Sequence, residues 1–272
     1  LDRDPDCKIV AQEIKKSHQK RFLFFHKKFS EVSKIKLENY KIKAIIFDLG
    51  YSYSQIKNPN KGLSFESKGN LNMKLGLNDF SADEVINKLN QKDLELIFRY
   101  FGEDKDSKII SKRIVHQRIK SNLNTEKLVN IINSVKKKKG GKIHNATKIF
   151  QALRIFLNDE LGELQRGLNA AETMLSAGGK LAVVSFHSLE DRIVKRFLRK
   201  RSTYNTRGSR HAPENENKPI PPTFIELNRK LIRPDNTETQ SNPRSRSARL
   251  RTAERTEVLS REVGFNNHGI KT

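Results

Sequence analysis

The chain has 272 residues, 35% hydrophobic and 31% charged, with 54 Lys and Arg set against 31 Asp and Glu. A net charge of +23 and a pI near 10.1 favour a polyanionic partner, nucleic acid ahead of an anionic membrane surface. No apolar run of about 18 residues and no signal-peptide pattern supports a spanning segment, and the single cysteine, Cys7, excludes an intrachain disulfide or a cysteine-cluster metal site and suits a reducing cytoplasm.

The chain opens on LDRDPDC without a methionine, which reads as the middle of a longer unit, so a truncated N-terminus is expected. Asp4 fits a helix cap with Pro5 at the first helical position, and Ile9, Val10 and Ile14 give the helix an apolar stripe ending near Ser17 or His18. Arg21 to His26, RFLFFH, is short, aromatic and bounded by charge, which predicts a buried strand. After a basic connection comes AIIFDLG, Ala44 to Gly50, read as the central strand of a parallel α/β sheet with right-handed crossovers. Open α/β sheets bind ligands outside the carboxyl ends of their strands, so Asp48 and the polar loop from Gly50 to Gly69 mark the expected site. Phe65 is expected to pin that loop to the core.

From Ser81 the pattern turns helical. Ser81 with Glu84 fits a capping box before Val85, Ile86 and Leu89. Further stripes follow at Leu94, Ile97, Phe98 and Phe101, at Ile109, Ile110, Ile114, Val115 and Ile119, and at Leu128, Val129, Ile132 and Val135. They read as a helical insertion ending at Lys136 to Lys139 and Gly140-Gly141; the tetralysine is either a solvated loop or a phosphate contact. A helical region from about Ala146 to Ser176 is expected to stop at Gly178-Gly179. Lys180 to His187, KLAVVSFH, predicts a second buried strand. Ser188 with Asp191 fits another capping box, and the helix it opens buries Ile193, Val194, Phe197 and Leu198. The opposite face carries Arg192, Lys195, Arg196, Arg199, Lys200 and Arg201, a basic stripe. Beyond Ser202 the polar, proline-containing run RGSRHAPENENKPIPP predicts a flexible segment. A strand is plausible in FIELNRKLIRP, and NPRSRSARLR, Asn242 to Arg251, concentrates arginine.

Five segments carry a more specific message. FDLGYSYSQ, KGLSFESKGNLNMKLG, KIHNATKIFQALRIFLNDELGEL, VVSFHSLEDRIVKRF and NPRSRSARLR, in this order, closely resemble the bacterial ribosomal RNA small subunit methyltransferase H family (RsmH, also called MraW), from Leu1 to about Arg255. The resemblance implies a Rossmann-like S-adenosylmethionine-dependent methyltransferase sheet with an inserted all-helical domain. It assigns 1–70 and 146–272 to the methyltransferase domain and 71–145 to a helical insertion contacting RNA. The first strand and a Gly-rich, His-containing loop would lie before Leu1. S-adenosylmethionine is the implied methyl donor and no metal is implied. The implied acceptor is N4 of a decoding-region cytidine in 16S rRNA of the small subunit.

Carried over by position, the family's ribose-binding acid falls on Asp2, the adenine contact on Phe29, and further cofactor contacts on Asp48 and Gln55. Two carboxylate oxygens can accept from both ribose hydroxyls, and an apolar ring face suits adenine. Asp2 and Asp4 also fit simple helix caps, and Phe29 a core position. Asp48 or Ser52 is expected to contact the cytosine amine, with His187, Ser188 and Glu190 lining the opposite wall; His187 also fits a hydrogen-bonded strand-end histidine. RNA contact is expected along Lys195 to Arg201, including Lys195, Arg196 and Arg199, and at Arg244, Arg246, Arg249 and Arg251.

The chain departs from the family pattern at Ser52, Tyr53 and Ser54, where two serines and a proline are usual. It departs again at Asn72, where an aspartate is usual, and at Asn145 and Lys148, where proline and arginine are common. An alternative of a different class is a catalytically silent, basic RNA-binding protein.

Overall fold

The computed structural model describes residues 1–37, 40–67, 69–136, 144–203, 205–206, 219–228 and 230–260. Two compact units emerge, Leu1–Lys28 with Tyr51–Gly162, and Phe29–Gly50 with Glu163–Thr272. No helix among the described residues is long and apolar enough to cross a membrane. Lys137 to Lys139 with Gly140-Gly141, most of the polar run after Ser202, and residues 261–272 lie outside the described residues.

The first unit is helical. Helix α1 (Cys7–Ser17) follows a turn in which Asp4 Oδ1 accepts the Asp6 N–H at 3.0 Å. Its predicted stripe is not the buried face: Ile9, Val10 and Ile14 are exposed and Ala11 is buried. Arg21 to His26 is not a strand either. The run makes a single parallel bridge, Asp2 to His26, with Asp2 N–H on Phe25 O and Lys27 N–H on Asp2 O. Its partner turns away at Arg3 to Asp6 to start α1, so one residue is all the ladder available. The polar loop after Gly50 winds into a short helix, α2 (Tyr53–Lys57), and a 3₁₀ turn at Pro59–Lys61. Phe65 does anchor it, stacked on His144 at 4.3 Å and edge-on to Phe150.

The unit's apolar core is built by α3 (Ala82–Lys88), α4 (Gln91–Tyr100), α5 (Ser107–Arg118), α6 (Thr125–Val135) and α7 (Thr147–Asn158). Leu94, Phe98, Ile110, Ile114, Leu128, Ile132, Ile149 and Leu153 are fully buried. Ser81 and Glu84 form the expected capping box of α3, satisfying N–H groups that have no partner within the helix. In α5 the outlying Ile109 and Ile119 are exposed, so the inward face is narrower than the run of apolar residues suggests. At the α4 terminus a Cβ on Gly102 would lie 2.6 Å from Phe98 O and 2.8 Å from Lys148 O, so only glycine fits where the helices approach.

The expected helical region from about Ala146 to Ser176 is present as two helices. Asp159 adopts a left-handed conformation (φ 47°) after α7, and α8 (Glu160–Met174) follows at once. Gly178-Gly179 is therefore no helix stop, because the helix has already ended at Met174 and the glycines fall within β2 (Leu175–Ser185).

The second unit holds the sheet. β1 (Ile42–Asp48) pairs parallel with β2, aligning Asp48 with Val184, and the register is irregular between Ile42 and Ala44, so regular pairing starts at Lys180. After α9 (Ser188–Ser202) comes a two-residue pair, β3 (Asn205–Thr206) with β4 (Pro219–Ile220). β5 (Phe224–Glu226), helix α10 (Asn236–Ser241) and β6 (Arg249–Arg255) complete the unit, the sheet running β1-β2-β6-β5 with β6 antiparallel to both neighbours. β1 is thus an edge rather than a central strand of the described sheet, with Ile46 72% exposed. The strand expected in FIELNRKLIRP is limited to Phe224–Glu226, with one further bridge from Ile232 to Leu250. Phe47, Leu164, Leu168, Leu181, Val183, Val194, Phe197, Leu198, Phe224 and Ala253 form its core.

Candidate functional site

In the second unit, β1 and β2 end side by side because they are parallel and in register, and both then turn sharply. Leu49 N–H still bonds Val184 O at 3.1 Å, after which Gly50 takes a left-handed backbone conformation (φ 97°). Asp48 stands at this end, exposed, yet partial desolvation pushes its carboxyl above the ordinary range.

β2 passes through Phe186 into His187, which is the N-cap of α9. The expected Ser188–Asp191 box is displaced by one residue, to His187 with Glu190. Glu190, 2% exposed, accepts the Phe186 N–H at 2.9 Å and the His187 N–H at 3.3 Å. His187 Nδ1 accepts the Glu190 N–H at 3.4 Å, so the neutral ring carries its proton on Nε2. That nitrogen is buried 3.2 Å from Glu190 Oε1 without hydrogen-bond alignment. His187 and Ser188 are half-buried at the start of α9, and Glu190 is buried beneath them, bonded to the backbone of the preceding residues.

Asp191 is unavailable as a cap because it is an ion-pair partner. It accepts from Arg251 Nε at 2.6 Å and Nη2 at 3.3 Å, and from Arg249 Nη1 at 3.3 Å. Those two arginines, expected on RNA, lie on β6 and are committed to α9. Arg201 is likewise withdrawn from the basic stripe: 7% exposed, it bonds Glu172. The exposed cations of α9 are Arg192, Lys195, Arg196, Arg199 and Lys200, and Arg244 and Arg246 are exposed around the 3₁₀ turn Ser245–Ser247.

Phe29, in the 3₁₀ turn Phe29–Lys34, is partly buried, its ring edge-on to Phe47 at 5.2 Å. A Cβ on Gly167 of α8 would come within 3.1 Å of Phe29 Cβ and 3.2 Å of Phe47 Cε1, so glycine admits the ring pair. Glu163 fixes the turn, accepting the Ser30 N–H at 2.9 Å and the Ser30 hydroxyl at 3.0 Å.

In the first unit, Asp2 and Gln55 meet on one residue that sequence reading treated only as a cap. Asp4 donates its N–H to Asp2 Oδ1 at 2.8 Å, and its carboxylate accepts from Gln55 Nε2 and from Lys61 Nζ. Ser52 caps α2, its hydroxyl accepting the Gln55 N–H at 3.2 Å while Gln55 Oε1 accepts the Ser52 N–H at 2.7 Å. Cys7 lies beside this cluster, and burial, followed by the Asp2 charge, pushes its thiol up to about 11, which disfavours the thiolate. The spacing of Asp2, Asp4 and Asp6 was the available signal; the partner Lys61 was not legible.

In the first unit, Asp2 and Gln55 have the free lone pairs and N–H that a nucleoside-bearing cofactor requires. Asp2 Oδ1 takes one backbone donor, leaving lone pairs for hydroxyls. Gln55 keeps a second amide N–H, and Phe29 retains accessible ring surface.

Both Asp4 and Asp191 would have raised carboxyls from burial alone; Lys61 with Gln55 for the first, and Arg251 with Arg249 for the second, outweigh it and hold them below 3.8. A carboxyl depressed on folding contributes stability that is full above its unfolded value and lost as pH falls through its folded value. The urea midpoint is therefore expected to fall as pH drops below 3.8, with a shallower acid limb in Asp191→Asn.

A parallel strand pair ending in an acid and running into a capped helix is the α/β arrangement that places ligands at strand carboxyl ends. The profile of the MraW methylase family matches residues 1–256, and the chain belongs to that family. It is 45% identical to ribosomal RNA small subunit methyltransferase H of Bartonella tribocorum over 97% of this chain and 79% of that protein. The protein of the same name from Rhodospirillum rubrum is 39% identical over 94% of this chain and 81% of its own length. Membership makes the chain a methyltransferase using S-adenosylmethionine and disfavours a silent binding protein.

Proposed function

We propose that this chain transfers a methyl group from S-adenosylmethionine to N4 of a decoding-region cytidine in 16S rRNA, acting on the small ribosomal subunit in the cytoplasm. The observation that carries the reading is Asp48, an exposed carboxyl at the end of β1 facing the same direction of strand exit as the His187 cap. The relatives' name supports the rRNA substrate.

The bound cofactor supplies an activated methyl on sulfonium. The chain's contribution is placement, because the cytosine amine is a weak nucleophile whose lone pair is conjugated with the ring. Holding nitrogen in line with the methyl, at about 3 Å, supplies much of the rate. Asp48 would accept a hydrogen bond from the amine, orient its lone pair and take the proton that nitrogen sheds as it gains the methyl, with the Ser52 hydroxyl as the second acceptor. Asp2 would receive the ribose hydroxyls, Phe29 would lie against adenine, and Gln55 would offer its remaining N–H. His187 and Ser188 line the wall that Glu190 braces.

The methyltransferase domain is assigned to 1–70 and 146–272, and 71–145 to a helical domain contacting RNA. Lys195, Arg196, Arg199, Arg244 and Arg246 neutralise phosphates, and the cytosine must be unstacked before it reacts. Tritiated S-adenosylmethionine incubated with small subunits lacking the modification should label one nucleoside, N4-methylcytidine by mass spectrometry. Label on another base, or on protein alone, would overturn the reading. Replacing Lys195, Arg196 and Arg199 together by alanine is expected to weaken RNA binding and flatten its log–log salt slope by roughly 0.7–0.9 per lost phosphate contact, measured by filter binding across salt concentrations.

A further inference from the structure

Asp4 is 1% exposed, and a buried carboxylate is retained only where its charge and lone pairs are satisfied. Here both oxygens are used. Oδ1 accepts the Asp6 N–H at 3.0 Å and Lys61 Nζ at 2.7 Å; Oδ2 accepts Lys61 Nζ at 2.7 Å and Gln55 Nε2. Lys61 also reaches Asp6 Oδ2 at 3.1 Å, so one cation neutralises two neighbouring acids. On the backbone side, the Asp4 N–H holds Asp2 Oδ1 at 2.8 Å.

The consequence for Gln55 is chemical as well as steric. A carboxylate can only accept and a backbone N–H can only donate. With Asp4 on one end and Ser52 N–H on the other, the carboxamide has one permitted orientation, with one N–H and one lone pair left to use. Asp2 is similarly turned by the Asp4 N–H. We infer that Asp4 is a positioning residue for cofactor binding, its buried carboxylate fixing the Gln55 carboxamide while its N–H fixes the Asp2 carboxylate, and Lys61 supplying the charge that lets it stay buried. The inference rests on the proposal that Asp2 and Gln55 hold S-adenosylmethionine.

The test is calorimetric binding of S-adenosylmethionine to Asp4→Asn, Gln55→Ala, Asp2→Ala and the Asp4→Asn/Gln55→Ala double variant. RNA affinity and thermal midpoint are measured alongside. Asp4→Asn is expected to raise the cofactor Kd about tenfold, the scale of a hydrogen bond to a charged group, and to leave RNA affinity unchanged. The double variant should bind scarcely worse than Gln55→Ala, because the two residues act on the same contact. Additive losses, an unchanged Kd in Asp4→Asn, or parallel loss of cofactor and RNA affinity would overturn the inference while leaving the cofactor assignment intact. Unchanged Kd in both Asp2→Ala and Gln55→Ala would overturn the assignment and the inference with it. Should Asp4→Asn not fold, Lys61→Gln keeps Asp4 but removes its counter-charge. It is expected to weaken cofactor binding several-fold; an unchanged Kd there counts against the inference.

Discussion

Asp48→Ala is expected to lower methyl transfer by about 10²-fold or more, the scale of losing an oriented proton acceptor, with little change in thermal midpoint. The two halves of this expectation have separate causes. Asp48 is at a strand end with its side chain toward solvent, so truncation opens no cavity. Desolvation also raises its carboxyl; a raised acid is one whose charged form the fold disfavours. Its stability contribution therefore falls as pH rises through the ordinary value and toward the folded one, and removing the charge at neutral pH costs nothing on that account. Asp48→Asn should accordingly be as stable as the parent or slightly more so, yet nearly inactive. If the carboxylate form is the acceptor, the parent's rate rises with pH through a value above 3.8 and then levels off, a limb absent from Asp48→Asn. Single-turnover transfer by Asp48→Ala at the parent's rate would remove the residue from the mechanism, and a loss confined to Ser52→Ala would move the role to Ser52.

Glu172→Ala should produce the largest loss of stability, about 3–5 kcal/mol, the range for breaking a buried ion pair from one side. Glu172 is 1% exposed and accepts from Arg201 Nε at 2.5 Å and from the Thr223 hydroxyl at 2.6 Å. Its backbone carbonyl accepts Arg255 Nε at 2.8 Å, and Arg255 in turn donates to Thr223 O at 3.0 Å. This network joins α8, α9, the residue before β5 and the end of β6, the elements that fix β5 and β6 onto the sheet. Truncation leaves the Arg201 guanidinium, which lies over Phe197 at 4.1 Å, buried with the Asn169 amide oxygen in place of its counter-charge. Glu172→Gln keeps an acceptor in place and should lose less. Urea unfolding followed by circular dichroism separates the two: equal midpoints for the alanine and glutamine variants would mean that charge pairing is not what the site contributes.

Sequence alone settled the local facts. The Ser81–Glu84 cap, the inward positions of α4 and α6, the two apolar strands and the acid ending the first are set by residues within a turn or two of one another, and local spacing is what a linear pattern records. The family motifs likewise placed Asp2, Phe29, Asp48 and Gln55 as candidates, since ordered motifs carry over by position.

Tertiary structure decided which groups meet. Arg251 and Arg246 look alike in a basic run, yet one pairs with Asp191 across 60 residues and the other is exposed. Arg201 continues a basic stripe but turns inward, because Glu172 lies on the neighbouring helix. The aromatic run at Arg21 to His26 has strand composition, but a strand needs a partner of matching length and Asp2 supplies one residue. The helix cap moved to His187 because Asp191 had a stronger claim elsewhere. Asp4 is the clearest case: its sequence position suggested a helix start, and only the arrival of Gln55, 51 residues on, and Lys61, 57 residues on, made it the centre of a buried cluster. Ion pairs and hydrogen bonds are selected by proximity in space, and no spacing along the chain encodes that distance.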